Sequence, residues 1–257
     1  MYKKLIVVFL FCFCWSGVSQ AEDISKLIEK RISKDRMSLD LKGLNIGPKG
    51  AKQLAKTESL SSLVTLHLQG NRIKARGMKA LAKSPHFANL QHLDLYGNLL
   101  GDRGLKAIAE SPYFDKLVSL KLWRNEISDD SMKFLSGSKN FMHLKILMLN
   151  DNLITDTGAA IIAQSNNLPN VITLNLFRNE VGDAGAVAFA KSMHFSKLES
   201  FYFGENNITD EGAVALIESN AFPALKFLDL GKNMLGEATA LAAFKINRKE
   251  KVRVLYK

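Results

Sequence analysis

The sequence predicts an α/β fold. It is a right-handed solenoid bent into a horseshoe, with parallel strands on the concave side, helices on the convex side and about eight 27-residue repeats. Three observations predict it. The chain repeats every 27 residues without a break at Leu63, Leu90, Leu117, Leu144, Val171, Leu198 and Leu225. A less regular copy starts at Arg36 and a clipped one at Val252. Each copy opens with apolar alternation of period two and continues into an Ala- and Leu-rich run, so one unit carries one strand and one helix. Strands stack about 4.8 Å apart and helices need about 8–10 Å, so stacking such units curves the array with strands inside.

The first 21 residues are read apart from the repeat. Lys3 and Lys4 precede an unbroken apolar run from Leu5 to Trp15, and Ser19-Gln20-Ala21 follows. That order is expected of a cleaved secretory signal, because the run is too short to span a bilayer. The expected mature chain begins at Glu22, is secreted or periplasmic, and has no stable membrane insertion. Cys12 and Cys14 both fall in the signal, which leaves no thiol for a disulfide, a nucleophile or a metal. Removing Lys3 and Lys4 leaves 33 basic against 25 acidic residues, a charge of +8.

Residues 22–35 are expected to form a capping helix, with Asp23 as its N-cap and apolar residues at helical spacing through Ile32. Residues 36–251 hold the repeats. Positions 4 and 6 of each unit face inward, for example Leu120/Leu122 and Phe201/Phe203. Position 9 is Asn in seven consecutive copies, Asn71 to Asn233, which predicts a ladder of buried amides serving backbone groups where the strand turns away. The first copy has Leu44 there instead. Gly77, Gly104, Gly158, Gly185 and Gly212 follow six residues later, with Ser131 and Thr239 as exceptions. Asp102, Asp129, Asp156, Asp183 and Asp210 stand two residues before that position and suit N-caps of their own helices. Phe87, Phe114, Phe141, Leu168, Phe195 and Phe222 are expected to plug the gap between each helix and the next strand. The pattern decays after Gly236, and 252–257 reads as a final strand whose edge Lys251, Arg253 and Lys257 protect.

The unit LxxLxLxxNxI followed by a Gly-led helix resembles the leucine-rich repeat, in its long ribonuclease-inhibitor-like subtype, from about Arg36 to the C-terminus. The resemblance implies a scaffold rather than a particular activity. Regulators of GTPases and inhibitors of nucleases occur among such repeats. A basic nuclease would call for an acidic inhibitor, and a secreted chain would meet a GTPase only after delivery into a host cell. A ubiquitin-ligase reading would need an appended domain or a cysteine.

No G-x-S-x-G, P-loop or H-E-x-x-H occurs, so no enzyme activity and no cofactor is expected. Lys and Arg fall mostly on predicted helices, where a solvated convex surface explains them better than nucleic-acid binding. Asp40, His67 and Asp94 share position 5 on adjacent strands, with His92 at position 3. Their two-residue offset disfavours a metal site, and none is expected.

Function is therefore sought in the outward positions 3, 5, 7 and 8. Position 7 brings Tyr96, Trp123, Asn150 and Phe177 into one line; position 5 adds Met148 and Tyr202; position 8 adds Arg124 and Arg178. Nothing in the scaffold demands large aromatics there, whereas aromatics and Arg are the usual anchors of protein interfaces. The expected function is a non-enzymatic protein-binding scaffold whose partner is acidic. The alternatives are a regulator of a partner enzyme or a carbohydrate-binding module using the same face. Oligomeric state is not legible.

Overall fold

The computed structural model describes residues 24–247 and 252–257. The expected signal and the Asp23 cap lie outside the described residues. Among the described residues the strands are β1 (Ser38–Asp40), β2 (Thr65–His67), β3 (His92–Asp94), β4 (Ser119–Lys121), β5 (Ile146–Met148), β6 (Thr173–Asn175), β7 (Ser200–Tyr202), β8 (Phe227–Asp229) and β9 (Arg253–Leu255). They form one parallel sheet in sequence order, and each adjacent pair from β1 to β8 is offset by one 27-residue repeat, as in Leu120↔Leu147. The helices are α1 (Ile24–Arg31), α2 (Gly47–Leu54), α3 (Lys74–Ala82), α4 (Gly101–Ala109), α5 (Met132–Gly137), α6 (Asp156–Ala163), α7 (Asp183–Ala190), α8 (Asp210–Ile217) and α9 (Glu237–Asn247).

The core is one continuous stack between sheet and helices. The inward Leu and Phe of positions 4 and 6 are buried in every unit, and so are the closing residues Phe87, Phe114, Phe141, Leu168, Phe195 and Phe222. Ile24, Leu27 and Ile28 of α1 close one end. Val254 of β9 is buried at the other, beside the exposed Arg253. The weakening pattern after Gly236 conceals a further helix, α9, whose Ala242 and Ala243 are buried.

Three polar ladders hold the coils together. The first is the predicted one. Each Asn Nδ2 donates to carbonyls of its own turn and of the turn before, as Asn125 does to Leu122 O at 3.0 Å and Leu95 O at 2.9 Å. Its Oδ1 accepts from the preceding turn, at Asn98 N (3.0 Å) and Leu100 N (3.3 Å). Asn71, Asn98 and Asn125 have no exposed surface. A buried side chain that satisfies four backbone groups explains why Asn recurs in seven consecutive repeats.

The second ladder is serine at the helix C-terminus. Ser84, Ser111, Ser138, Ser165, Ser192 and Ser219 each donate Oγ to a carbonyl one turn back, for example Ser111 to Ala82 O at 2.6 Å. These carbonyls lie in the last turn of a helix or, for Ala55, at its C-cap, where no partner inside the helix is available.

The third corrects the assignment of the aspartates. Asp156, Asp183 and Asp210 are the first residues of their helices, and the N-caps are Thr155, Gly182 and Thr209. Each carboxylate caps the following helix instead. Asp183 accepts from Thr209 N (2.8 Å), Thr209 Oγ1 (2.6 Å) and Gly212 N (3.0 Å). Asp156 accepts from Gly182 N (2.7 Å) and Gly185 N (2.8 Å). Stacking puts the next helix's free N–H groups beside the carboxylate, where the helix dipole also favours negative charge. It also explains the glycines. A Cβ on Gly212 would come within 2.5 Å of Asp183 Oδ1. At the two exceptions the side chain joins the ladder: Ser131 Oγ donates to Asp102, and Thr239 Oγ1 to Asp210.

Candidate functional site

The outward residues of β1 to β8 and the turns after them make the concave face. Tyr96, Trp123, Met148, Asn150, Phe177 and Tyr202 are half-buried there, and Arg124 and Arg178 are exposed. The rings on the line do not project independently. Tyr96 and Trp123 stack, with centroids 3.8 Å apart and planes at 20°. Arg124 Nη1 donates to Tyr96 Oη at 3.2 Å, and this contact raises the arginine's already high pKa. Ring, ring and guanidinium are thus one assembled unit.

Phe177 is positioned by what the next two repeats lack. Its ring would lie 3.0 Å from a Cβ on Gly204, and Gly231 O would lie 2.7 Å from it. Position 7 is glycine in both repeats, so the ring lies on bare backbone. Tyr202 forms a second aromatic pair with Phe227 at 5.4 Å, and the Arg253 guanidinium stands 6.0 Å from the Phe227 ring. Phe227 escaped the sequence reading. The signal was present: it is the one aromatic at outward position 3.

Position 8 is left-handed in every repeat. Gly43, Gly70 and Gly97 fill it first, then Arg124, Asp151, Arg178, Glu205 and Lys232, all with φ between 48° and 70°. The last five alternate in charge. Arg178 reaches Asp151 at 3.2 Å and also pairs with Glu205, which in turn binds Lys232. Hydrogen bonds from Arg178 and then Lys232 hold the Glu205 carboxyl below its usual pKa. Arg178 is therefore engaged by acids of its own rim, whereas Arg124 is bonded to the Tyr96 hydroxyl of the aromatic stack. Asp151, Glu205 and Lys232 were missed because no single repeat reveals an alternation that runs across repeats.

At the other end of the face, Asp94 is buried, ion-pairs with Lys121 at 3.7 Å and accepts from Tyr96 N at 3.2 Å. His67 lies within 3.5 Å of the Gln69 amide, and His92 is exposed. Among the described residues no group of three or more His, Cys, Asp or Glu could hold a metal ion. No described helix is long and apolar enough to cross a membrane.

Residues 59–82, 88–109, 142–163, 167–190 and 196–216 match a family model described as "Leucine Rich repeat". Among the solved structures that share the architecture are two internalins. Internalin C2 of Listeria monocytogenes superposes with a TM-score of 0.60 at 21% identity, over 92% of both chains. An internalin (inlF) of the same organism gives 0.55 at 20% identity, over 80% of this chain and 49% of that one. At such identities the likeness concerns the fold. No curated protein matches the sequence.

Proposed function

We propose, for a chain that is a leucine-rich repeat protein, that the concave face is a non-enzymatic docking surface for an acidic protein partner. The observation that carries this reading is the Tyr96–Trp123 stack with Arg124 hydrogen-bonded to its tyrosine hydroxyl. It presents apolar ring surface and a charge-assisted donor already in place, so little side-chain freedom is lost on binding. Met148, Asn150, Phe177 and Tyr202 extend the surface, and Arg178 with its ion-paired rim borders it. The rim supports the reading further. A left-handed backbone costs a non-glycine residue about 1–2 kcal/mol, while exposed ion pairs return about 0–1 kcal/mol. Five such residues in a row fit a role in recognition better than one in stability.

The mature charge of +8 favours an acidic partner and salt-sensitive association. The same reading includes export with Glu22 as the first residue; intact mass of the exported protein tests it, and a retained Met1 would count against it. The 27-residue unit with an α-helix in each coil supports the ribonuclease-inhibitor-like subtype.

Trp123→Ala tests the site. A pull-down from the extracellular milieu with the mature wild-type protein as bait supplies the partner, and the variant is then compared against it. Titration calorimetry should then show a loss of about 2 kcal/mol or more, as for an interface anchor. Folding should lose about 1 kcal/mol, the scale of one aromatic pair. Unchanged affinity, or a collapse of the thermal transition, would overturn the assignment.

A further inference from the structure

The convex side carries a second feature, independent of the concave reading. A groove of about 960 Å³ runs between α3 and α4. Arg76, Lys79, Lys83, Arg103 and Lys106 line its walls, and Glu110 is its one acid. All six are exposed. Glu110, the C-cap of α4, pairs at 3.7 Å with Lys106 one turn before it. Five cations against one carboxylate leave a local charge of +4 in a recess.

This is not the general state of the convex side. Helices α2, α3 and α4 contribute Lys49, Lys52, Lys74, Arg76, Lys79, Arg103 and Lys106. Helices α6, α7 and α8 contain no Lys or Arg, and bear Asp156, Asp183, Asp210 and Glu211. A merely solubilising surface would intersperse both signs along its length. Here one sign is gathered at one end, against its own repulsion, and concentrated where low-dielectric walls focus the field.

The lining narrows the class of ligand. Between the cations the walls are Ala75, Ala82 and Ala107, small residues that let a chain lie close to the helices. Tyr113 is the groove's one aromatic, and it is half-buried against the core. Single-stranded nucleic acid is held by successive stacking platforms, which this groove lacks. A lipid surface would meet the crest of the helices, not the recess, and the large exposed apolar side chains of the convex helices, Leu241 and Phe244, lie in α9 at the far end of the array. Guanidinium and ammonium groups on two facing helices instead suit a flexible strand bearing sulfate or carboxylate at intervals, bound through charge-assisted hydrogen bonds.

We propose that the α3–α4 groove binds an acidic polysaccharide strand. The test uses full-length mature protein and three probes: a heparin-derived octasaccharide for sulfate, an oligogalacturonate for carboxylate, and single-stranded DNA of matched charge. The double variant Lys79→Glu, Arg103→Glu should lose binding of at least one acidic glycan by about tenfold or more, with an unchanged melt. The control Lys191→Glu, Lys245→Glu changes net charge equally, at exposed positions of the far end, and should retain most of it. Raising salt from about 0.15 M to about 1 M, where the Debye length falls from about 8 Å to about 3 Å, should abolish binding. Trp123→Ala should leave glycan binding intact, which separates this site from the concave one. The proposal is overturned by no glycan binding in the wild type, by equal losses in the two double variants, by loss in Trp123→Ala, or by DNA binding as tightly as either glycan.

Discussion

The repeats of α2 to α4 and those of α6 to α9 have the same core and turn from strand to helix in different ways. In the early repeats the first helical residue, Gly47, Lys74 or Gly101, is itself left-handed, and Ile46, Ile73 and Leu100 before it offer no side-chain cap. In the later ones an extended Thr155, Gly182 or Thr209 precedes the helix, and the carboxylate of the previous repeat supplies the cap. Position 8 changes with it, from glycine to alternating charge. The convex side changes too, from basic to uncharged and acidic. A solenoid thus fixes its core and leaves its turns free: any local solution is accepted that satisfies the same backbone groups at the same height.

The largest expected effect concerns what both halves share. Asn152→Leu removes the acceptor of Asn125 N and Ile127 N and the donor to Leu122 O and Leu149 O. At about 1–3 kcal/mol per stranded group, it should cost several kcal/mol, whereas the outward Asn150→Ala should cost well under 1 kcal/mol. Paired urea melts check this, with Asn98→Leu and Asn206→Leu expected to match Asn152→Leu. A large disparity between early and late repeats would break the claim of a common ladder.

Next comes the cap that only the later repeats possess. Asp183→Ala should destabilise by about 2 kcal/mol, since it leaves Thr209 N and Gly212 N without their acceptor. The equivalent position of an early repeat is Ala75, so the array already tolerates that residue where the turn is different. Equal stability of Asp183→Ala and wild type would show that the caps are ornamental.

The same caps give a pH dependence. Burial alone would raise the Asp102 pKa, but hydrogen bonds from Ser131 and Ser128 outweigh it and hold the carboxyl below its usual 3.8. Asp210 is lowered chiefly by Thr239. A carboxyl lowered on folding adds stability that is present above its unfolded pKa and lost as pH falls through the folded one. Stability should therefore drop below about pH 3.8, the usual carboxylate value, and Asp102→Asn should flatten that drop. Urea midpoints across the acid range read both.

A smaller effect separates the two kinds of edge. Gly97 has φ +63° and open space where a Cβ would be, so Gly97→Ala should cost about 1 kcal/mol from backbone strain alone. The smallest belongs to the charged edge. Glu205→Gln breaks two exposed ion pairs and should change the thermal midpoint by the equivalent of less than about 1 kcal/mol. A larger loss would make the ladder structural and remove its support for a binding role.

The sequence by itself determined the strand, the helix, the inward positions and the Asn ladder. Each depends on residues within one unit, and repetition amplifies the signal. It also placed Tyr96, Trp123 and Phe177 on one line, because alternation alone decides which way a strand residue faces. Only the tertiary structure decided what those residues touch. That Asp183 caps the helix after its own, that glycine at 212 makes room for that carboxylate, that Phe177 lies on Gly204, and that Arg178 is held by Asp151 and Glu205 are all contacts between residues some 26–30 apart. The groove between α3 and α4 likewise exists only once two helices stand side by side. Such pairings have no local periodicity to betray them; they arise when stacking brings successive coils into register, and there the sequence read one unit at a time falls silent.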